Sequence, residues 1–368
     1  MEKFLLFVLR LIQRREEEMK RERDEYRFNY VPSYIVRAWS GDGRSVRYNT
    51  AYEDEIFSSP VEDMYVETLK VTGDLDPDGM PMLTLPSVVN TVTRLSCGVK
   101  RAYEEGFFDV LLLIMEEYFS NPRSYGRFTG IMSEEVGKRK KAGDSAPNAE
   151  ELSKEAVRKM DRERTTEELV VELNKGFMYA AYILDLMPVL VEADDEMGFL
   201  LSSCPLLFGN PYNRAAFNDL GFPFARKGAV FFMPISPKRA VCLYDSDVYF
   251  VNEKNGRISL SLEDTLLLAG YAINVSDNII FRPDREDYYC AFKERNFQGF
   301  YDVSSFNPSF LRMKRGVPSG KNEIRKLPSA MMDYDERHSS SVIENYEDFI
   351  NKRLGYALSL VTGKRRSF

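Results

Sequence analysis

Apolar positions near the start of the chain recur at helical spacing: Phe4, Leu5, Val8, Leu11 and Ile12. Arg10 interrupts them, and Arg14 to Glu25 is almost wholly charged with mixed signs. This predicts an amphipathic helix over 1–27, too short and too broken for a membrane span or a secretory leader. Such a helix docks on its own domain, pairs with a second copy, or lies on a membrane surface; the acidic residues among the basic ones weaken the last.

Further along, Gly41-Asp42-Gly43 predicts a tight turn between an element at 33–39 and a strand at 45–48, with another short element over 61–68. Leu85-Pro86-Ser87 opens a predicted helix that runs to about Glu105, where Gly106 breaks it. The stretch 108–119 is apolar nearly all round, so it predicts a core helix, ending at Ser120-Asn121-Pro122 because the residue before proline resists helical geometry. Thr165 or Thr166 caps a long helix with Glu167 and Glu168 in its first turn and Leu169, Leu173, Phe177, Ala180, Ala181 and Leu184 along one face.

The pattern then changes. Short runs at 198–201, 230–233, 240–244 and 248–251 have strand character, and so does 288–292. A second apolar helix is predicted over 262–280, an extended arm over 304–330, and a closing amphipathic helix over 342–360. The fold class read from this is α+β. A helical body (87–120, 150–191 and 262–280) packs on a small, mostly antiparallel sheet drawn from 33–50, 198–251 and 287–293, with the N-terminal helix appended. The expected organisation is 1–27 helix, 28–300 core and 301–368 arm and helix.

Composition fits an ordinary globular chain: 368 residues, 44% hydrophobic and 29% charged, with 25 Phe and 21 Tyr to build aromatic clusters. A net charge of -7 disfavours general nucleic-acid binding. The basic run Lys138-Arg139-Lys140-Lys141 is the one local exception, and the surrounding Glu134, Glu135, Glu150 and Glu151 favour a solvated linker over a nucleic-acid patch.

Chemistry is sparse. The four cysteines (Cys97, Cys204, Cys242 and Cys290) have no CxxC spacing, which favours buried thiols in a reducing cytoplasm over a zinc or redox site. His338 is the single histidine, so the usual general base and Ser-His or Cys-His pair are missing from almost everywhere. Asp74 to Gly79 resembles a calcium loop but has Leu85 where the bidentate Glu belongs. No phosphate-binding glycine loop or cofactor motif is present.

Several segments are similar, in order, to the mainly bacterial family called domain of unknown function 4238, over about 28–295. Asn29-Tyr30-Val31-Pro32-Ser33 matches its His-Tyr-Val-Pro-Gln opening, and Ser120-Asn121-Pro122 its Arg-Thr-Pro helix end. Ser202-Ser203-Cys204-Pro205 matches its Ser-Asp-Asn-Pro turn, Met233-Pro234-Ile235-Ser236-Pro237 its Pro-Leu-Ser-Pro strand, and Ile273-Asn274 its Ile/Leu-Asn pair. The prolines and apolar positions match while the polar landmarks differ: Asn29 stands for His, Ser120 for Arg, Ser203 for Asp and Cys204 for Asn. The resemblance implies a fold and no reaction.

The candidate pocket is therefore Asn29, Tyr30, Ser120, Arg123, Ser203, Cys204 and Asn274, with no catalytic or metal residue assigned. Ser and Asn cap backbone groups as well as Asp and Arg do, so a purely structural role stands beside a lost site. Cys204 as a nucleophile would need Lys, Arg or a helix N-terminus to activate it.

Two functional readings follow. One is a non-catalytic binding or interaction protein, an accessory component of a bacterial defence or toxin-type system, meeting a protein partner or a second copy through the N-terminal helix. The other is a metal-dependent hydrolase acting on nucleic acid or nucleotide, using carboxylates such as Asp194, Asp195 and Asp277.

Overall fold

The structure, a computed structural model, describes residues 25–50, 53–72, 86–99, 102–142, 149–183, 185–213, 223–254, 256–296, 306–317 and 325. The predicted N-terminal helix, the calcium-like Asp74–Gly79 turn, His338 and the 342–360 helix fall outside these residues. The architecture is an α+β mix of helices and mostly antiparallel sheets.

The chain opens with β1 (Glu25–Asn29), a short α1 (Ser33–Val36), β2 (Ser45–Thr50), β3 (Ile56–Pro60) and β4 (Val66–Lys70). Helices follow: α2 (Pro86–Ser96), α3 (Ala102–Glu105), α4 (Phe107–Ser120), α5 (Tyr125–Ala142), α6 (Ala149–Met160) and α7 (Thr166–Tyr179). Then come β5 (Met187–Glu192), β6 (Leu201–Ser202), β7 (Leu207–Gly209), β8 (Val230–Ser236), β9 (Arg239–Tyr244), β10 (Tyr249–Phe250) and β11 (Arg257–Ser259). The last described elements are α8 (Leu262–Asn274), β12 (Asn278–Ile280), α9 (Glu286–Asn296) and β13 (Arg312–Met313).

Two sheets carry the β part: β11-β5-β9-β8-β7 and β3-β2-β12-β6, with β1-β4 and β10-β13 as separate pairs. Among the described strand pairs, β11 against β5 is the parallel one. Every residue of β8 is buried, so both of its faces are covered. Successive side chains then serve opposite layers. Phe231 meets Phe208 and the α4 residue Tyr118, with ring centroids 4.9 and 6.1 Å away. Phe232 meets Phe199 at 5.4 Å and Phe310 at 6.3 Å.

Gly198 and Pro237 bound a closed segment. Phe199 N donates to Pro237 O at 2.7 Å. Gly198 has φ 72°, and a Cβ there would lie 2.9 Å from the same carbonyl, so only glycine fits.

Five expectations need correction. The 87–105 helix is two helices, α2 and α3. Residues 187–192 extend the helical body on paper but form β5, a central strand paired with β9 and β11. The 262–280 helix stops at Asn274, because Asn278–Ile280 pairs with β2 and β6. The 288–292 strand is part of α9, whose Tyr289 stacks on Phe281 at 4.3 Å. Lys138 to Lys141 lie on α5 rather than in a linker. Thr165 caps α7 with a reciprocal bond to Glu168, as its acidic first turn suggests.

Candidate functional site

Helix α4 delivers the site. Its residues Val110–Ser120 are all buried, which fits a core helix, but the helix is not apolar all round: Glu116 and Glu117 lie in the middle of the buried stretch. At its end Asn121 turns to extended geometry before Pro122. The Asn121 amide donates to Glu117 Oε1 at 2.5 Å and to Ser203 O at 3.0 Å, while its Oδ1 accepts Arg123 N at 2.9 Å. One side chain thus fastens the helix end to the turn after β6.

Ser203 lies opposite. Its amide donates to Asn278 O at 3.0 Å and to Ser276 Oγ at 2.9 Å. Its hydroxyl bonds Ser276 Oγ at 2.9 Å and accepts Asp277 N at 3.2 Å. Beyond it, Arg123 bridges Asp277 and Asp161, both at 3.1 Å, with all three side chains about half exposed.

Tyr30 covers the inner side. Burial pushes its phenol pKa up, the Arg123 charge opposes this, and Glu117 and Asp277 reinforce it. Tyr65, at φ 54° the one described non-glycine residue with positive φ, lies tilted against Tyr30 with ring centroids 5.9 Å apart, and its hydroxyl donates to Leu201 O at 2.8 Å. Cys204 is buried; burial pushes its thiol pKa up and the Glu117 charge adds to that. A thiol held protonated is a poor nucleophile.

Tyr30, Ser120, Arg123, Ser203 and Cys204 thus come together at the α4 end. Asn29 does not join them: its amide donates to Glu62 O at 3.0 Å and Met64 O at 3.1 Å, in the segment leading into β4. Asn274 donates back to Gly270 O at 2.8 Å in its own helix, and the chain meets the cluster beyond the helix, at Ser276.

Ser120 is fully buried. Its carbonyl accepts Arg164 Nη1 at 2.6 Å, and its hydroxyl has no partner. Arg164 also pairs with Glu172 and Glu67 and lies over the Phe28 ring, 5.9 Å from its centroid. Arg127 pairs with Glu172 at 3.1 Å and donates to Pro122 O at 3.1 Å.

Sequence reading passed over Glu116 and Glu117. The signal was two adjacent acids inside an otherwise apolar run, a placement that is costly unless something neutralises them. Burial pushes the Glu117 carboxyl up to about 8, against the pull of Asn121. Burial raises Glu116 well above the usual carboxylate range, and the neighbouring Glu117 adds to this. Tyr34 faces them: its phenol is pushed up by burial, then by Glu116, Glu117 and Asp109.

The hydrolase carboxylates do not gather. Asp194 accepts Glu196 N at 2.9 Å, Asp195 pairs with Lys238 at 2.9 Å, and Asp277 is held by Arg123. Among the described residues, no three His, Cys, Asp or Glu are grouped to hold a metal, and no helix is long and apolar enough to cross a membrane. Compared with protein-family models, curated proteins and solved structures, the chain matches none.

Proposed function

We propose that this chain is a non-catalytic binding or interaction protein in which the polar family-like positions serve the fold. The observation that carries this reading is Ser203, whose amide and hydroxyl are all engaged with 276–278. The buried, protonated Cys204 thiol and the paired Arg123 support it too. A nucleophile needs a free reactive atom and a base to activate it; the Ser203 hydroxyl is engaged, and the Cys204 thiol is held protonated by burial.

The resemblance carries the wider proposal: an accessory component of a bacterial defence or toxin-type system. Its partner is a protein or a second copy, met through the apolar positions of 4–12.

The test has two parts. Purified protein is incubated with single- and double-stranded nucleic acid, RNA and nucleotides over a series of divalent metals; unchanged substrates are expected. Turnover that Ser203→Ala or Cys204→Ala abolishes would overturn the reading. Sedimentation of the wild type and of Leu5→Asp/Val8→Asp, alone and with captured partners, is expected to show an assembly lost in the variant.

A further inference from the structure

Glu116 and Glu117 are both fully buried, and among the described residues neither forms an ion pair. Both Glu116 carboxyl oxygens, Glu117 Oε2, the Tyr34 hydroxyl and the Ser120 hydroxyl have no hydrogen-bond partner. Ser120 stands one helical turn beyond Glu116, on the same face, and helical side chains lean toward the N-terminus, so its hydroxyl leans over Glu116. Tyr34, on α1, lies near enough for the Glu116 and Glu117 charges to raise its phenol pKa.

Buried carboxylates without partners cost several kcal/mol each, and buried polar groups are almost always satisfied. The neighbouring arginines do not meet this need: Arg164 and Arg127 are taken by Glu172 and Glu67, and Arg123 by two aspartates.

The unpartnered set is all oxygen: three carboxylate oxygens, a phenol and an aliphatic hydroxyl. Oxygen donors select hard cations over soft ones. Two carboxylates match a double positive charge, whereas a monovalent ion would leave one buried charge uncompensated. We propose that Glu116 and Glu117, with the Tyr34 and Ser120 hydroxyls, hold a hard divalent cation, Mg²⁺ or Ca²⁺, inside the fold. With Glu116, Glu117 and Ser120 fully buried and Tyr34 half-buried, the ion is structural and is acquired as the chain folds. This proposal does not rest on the binding-protein reading.

The experiment measures metal in the full chain, purified without chelator, by plasma mass spectrometry. It then compares thermal midpoints after refolding with Mg²⁺, with Ca²⁺ or with a chelator. The expected result is stoichiometric Mg²⁺ or Ca²⁺, and a midpoint several degrees higher with cation than with chelator. The Glu116→Gln/Glu117→Gln variant should fold by circular dichroism, hold no metal and melt alike in all buffers. Should it not fold, Tyr34→Phe, which keeps the ring, is expected to shrink the cation-dependent shift. Absence of metal both as purified and after refolding, with a midpoint that neither cation moves, overturns the proposal. So does equal metal in the wild type and the double variant. A substrate turned over by the wild type would bear on the functional reading and leave this one standing.

Discussion

Arg164 and Glu116 are both fully buried against the same end of α4, yet their surroundings differ. Arg164 is met by Glu172, Glu67, the Ser120 carbonyl and the Phe28 ring; with Arg127 it makes a set of two positive and two negative groups. Glu116 and Glu117 have one hydrogen bond between them, from Asn121. The first region is balanced by the protein's own side chains and ties β1, β4, α4, α5 and α7 together. The second is left for a proton or a cation to balance. Burial alone therefore does not tell a structural charge from a site; the count of partners does.

Breaking the balanced region should have the largest effect. Arg164→Ala removes a fully buried cation, leaves Glu67 without its partner and Glu172 with Arg127 alone, and frees the Ser120 carbonyl, so urea unfolding is expected to show a loss of about 3 kcal/mol. Next comes Gly176→Ala. An added Cβ would lie 2.8 Å from Glu116 Cα, prising α7 off α4 beneath the acid pair, at about 1–3 kcal/mol in the same assay. Ser203→Ala deletes a hydroxyl with two partners and is expected to cost about 1 kcal/mol, without changing any binding activity. Arg123→Ala should be smallest, within about 1 kcal/mol, since its carboxylate partners are half exposed and salt screens them. A large loss there would mean that the exposed rim, not the buried hub, holds the α4 end.

How much of this was legible follows from the same contrast. The α4 core helix, its stop before Pro122, the Thr165 cap and the β8-β9 strands follow from period and turn chemistry. The acid pair was hidden because an apolar period is read from its majority, and two acids did not shift it.

Strand β5 was hidden because Leu186–Val191 continues an apolar run after a helix. Its Pro188 looks unlike a central strand, but β11 pairs only with Leu190–Glu192, so the missing N–H faces no neighbour on that side. The aromatic run Tyr288–Phe292 has strand propensity, and packing of Tyr289 on Phe281 in a helix overrides it. Asn29 and Asn274 could not be separated from the cluster by sequence, because side-chain direction across β1 and at the end of α8 depends on tertiary neighbours.

The central claim, that charge at Glu116 and Glu117 is not balanced by the protein itself, is tested most directly by unfolding free energy against pH in chelator. The groups around the pair are Tyr30, Tyr34, Cys204, Asp109, Arg123 and Asp277. The phenols and thiol are pushed upward and stay protonated through the middle of the pH range; burial raises the Asp109 carboxyl too, so comparison with the Glu116→Gln/Glu117→Gln variant isolates the pair. Glu117 is raised from 4.5 to about 8 in the folded state. Its contribution is therefore whole below about pH 4.5 and is lost as pH rises to about 8, up to roughly 5 kcal/mol. The wild type is expected to lose stability steeply from pH 5 to pH 8.5, and the Glu116→Gln/Glu117→Gln variant much less. Parallel curves for the two proteins would contradict the account.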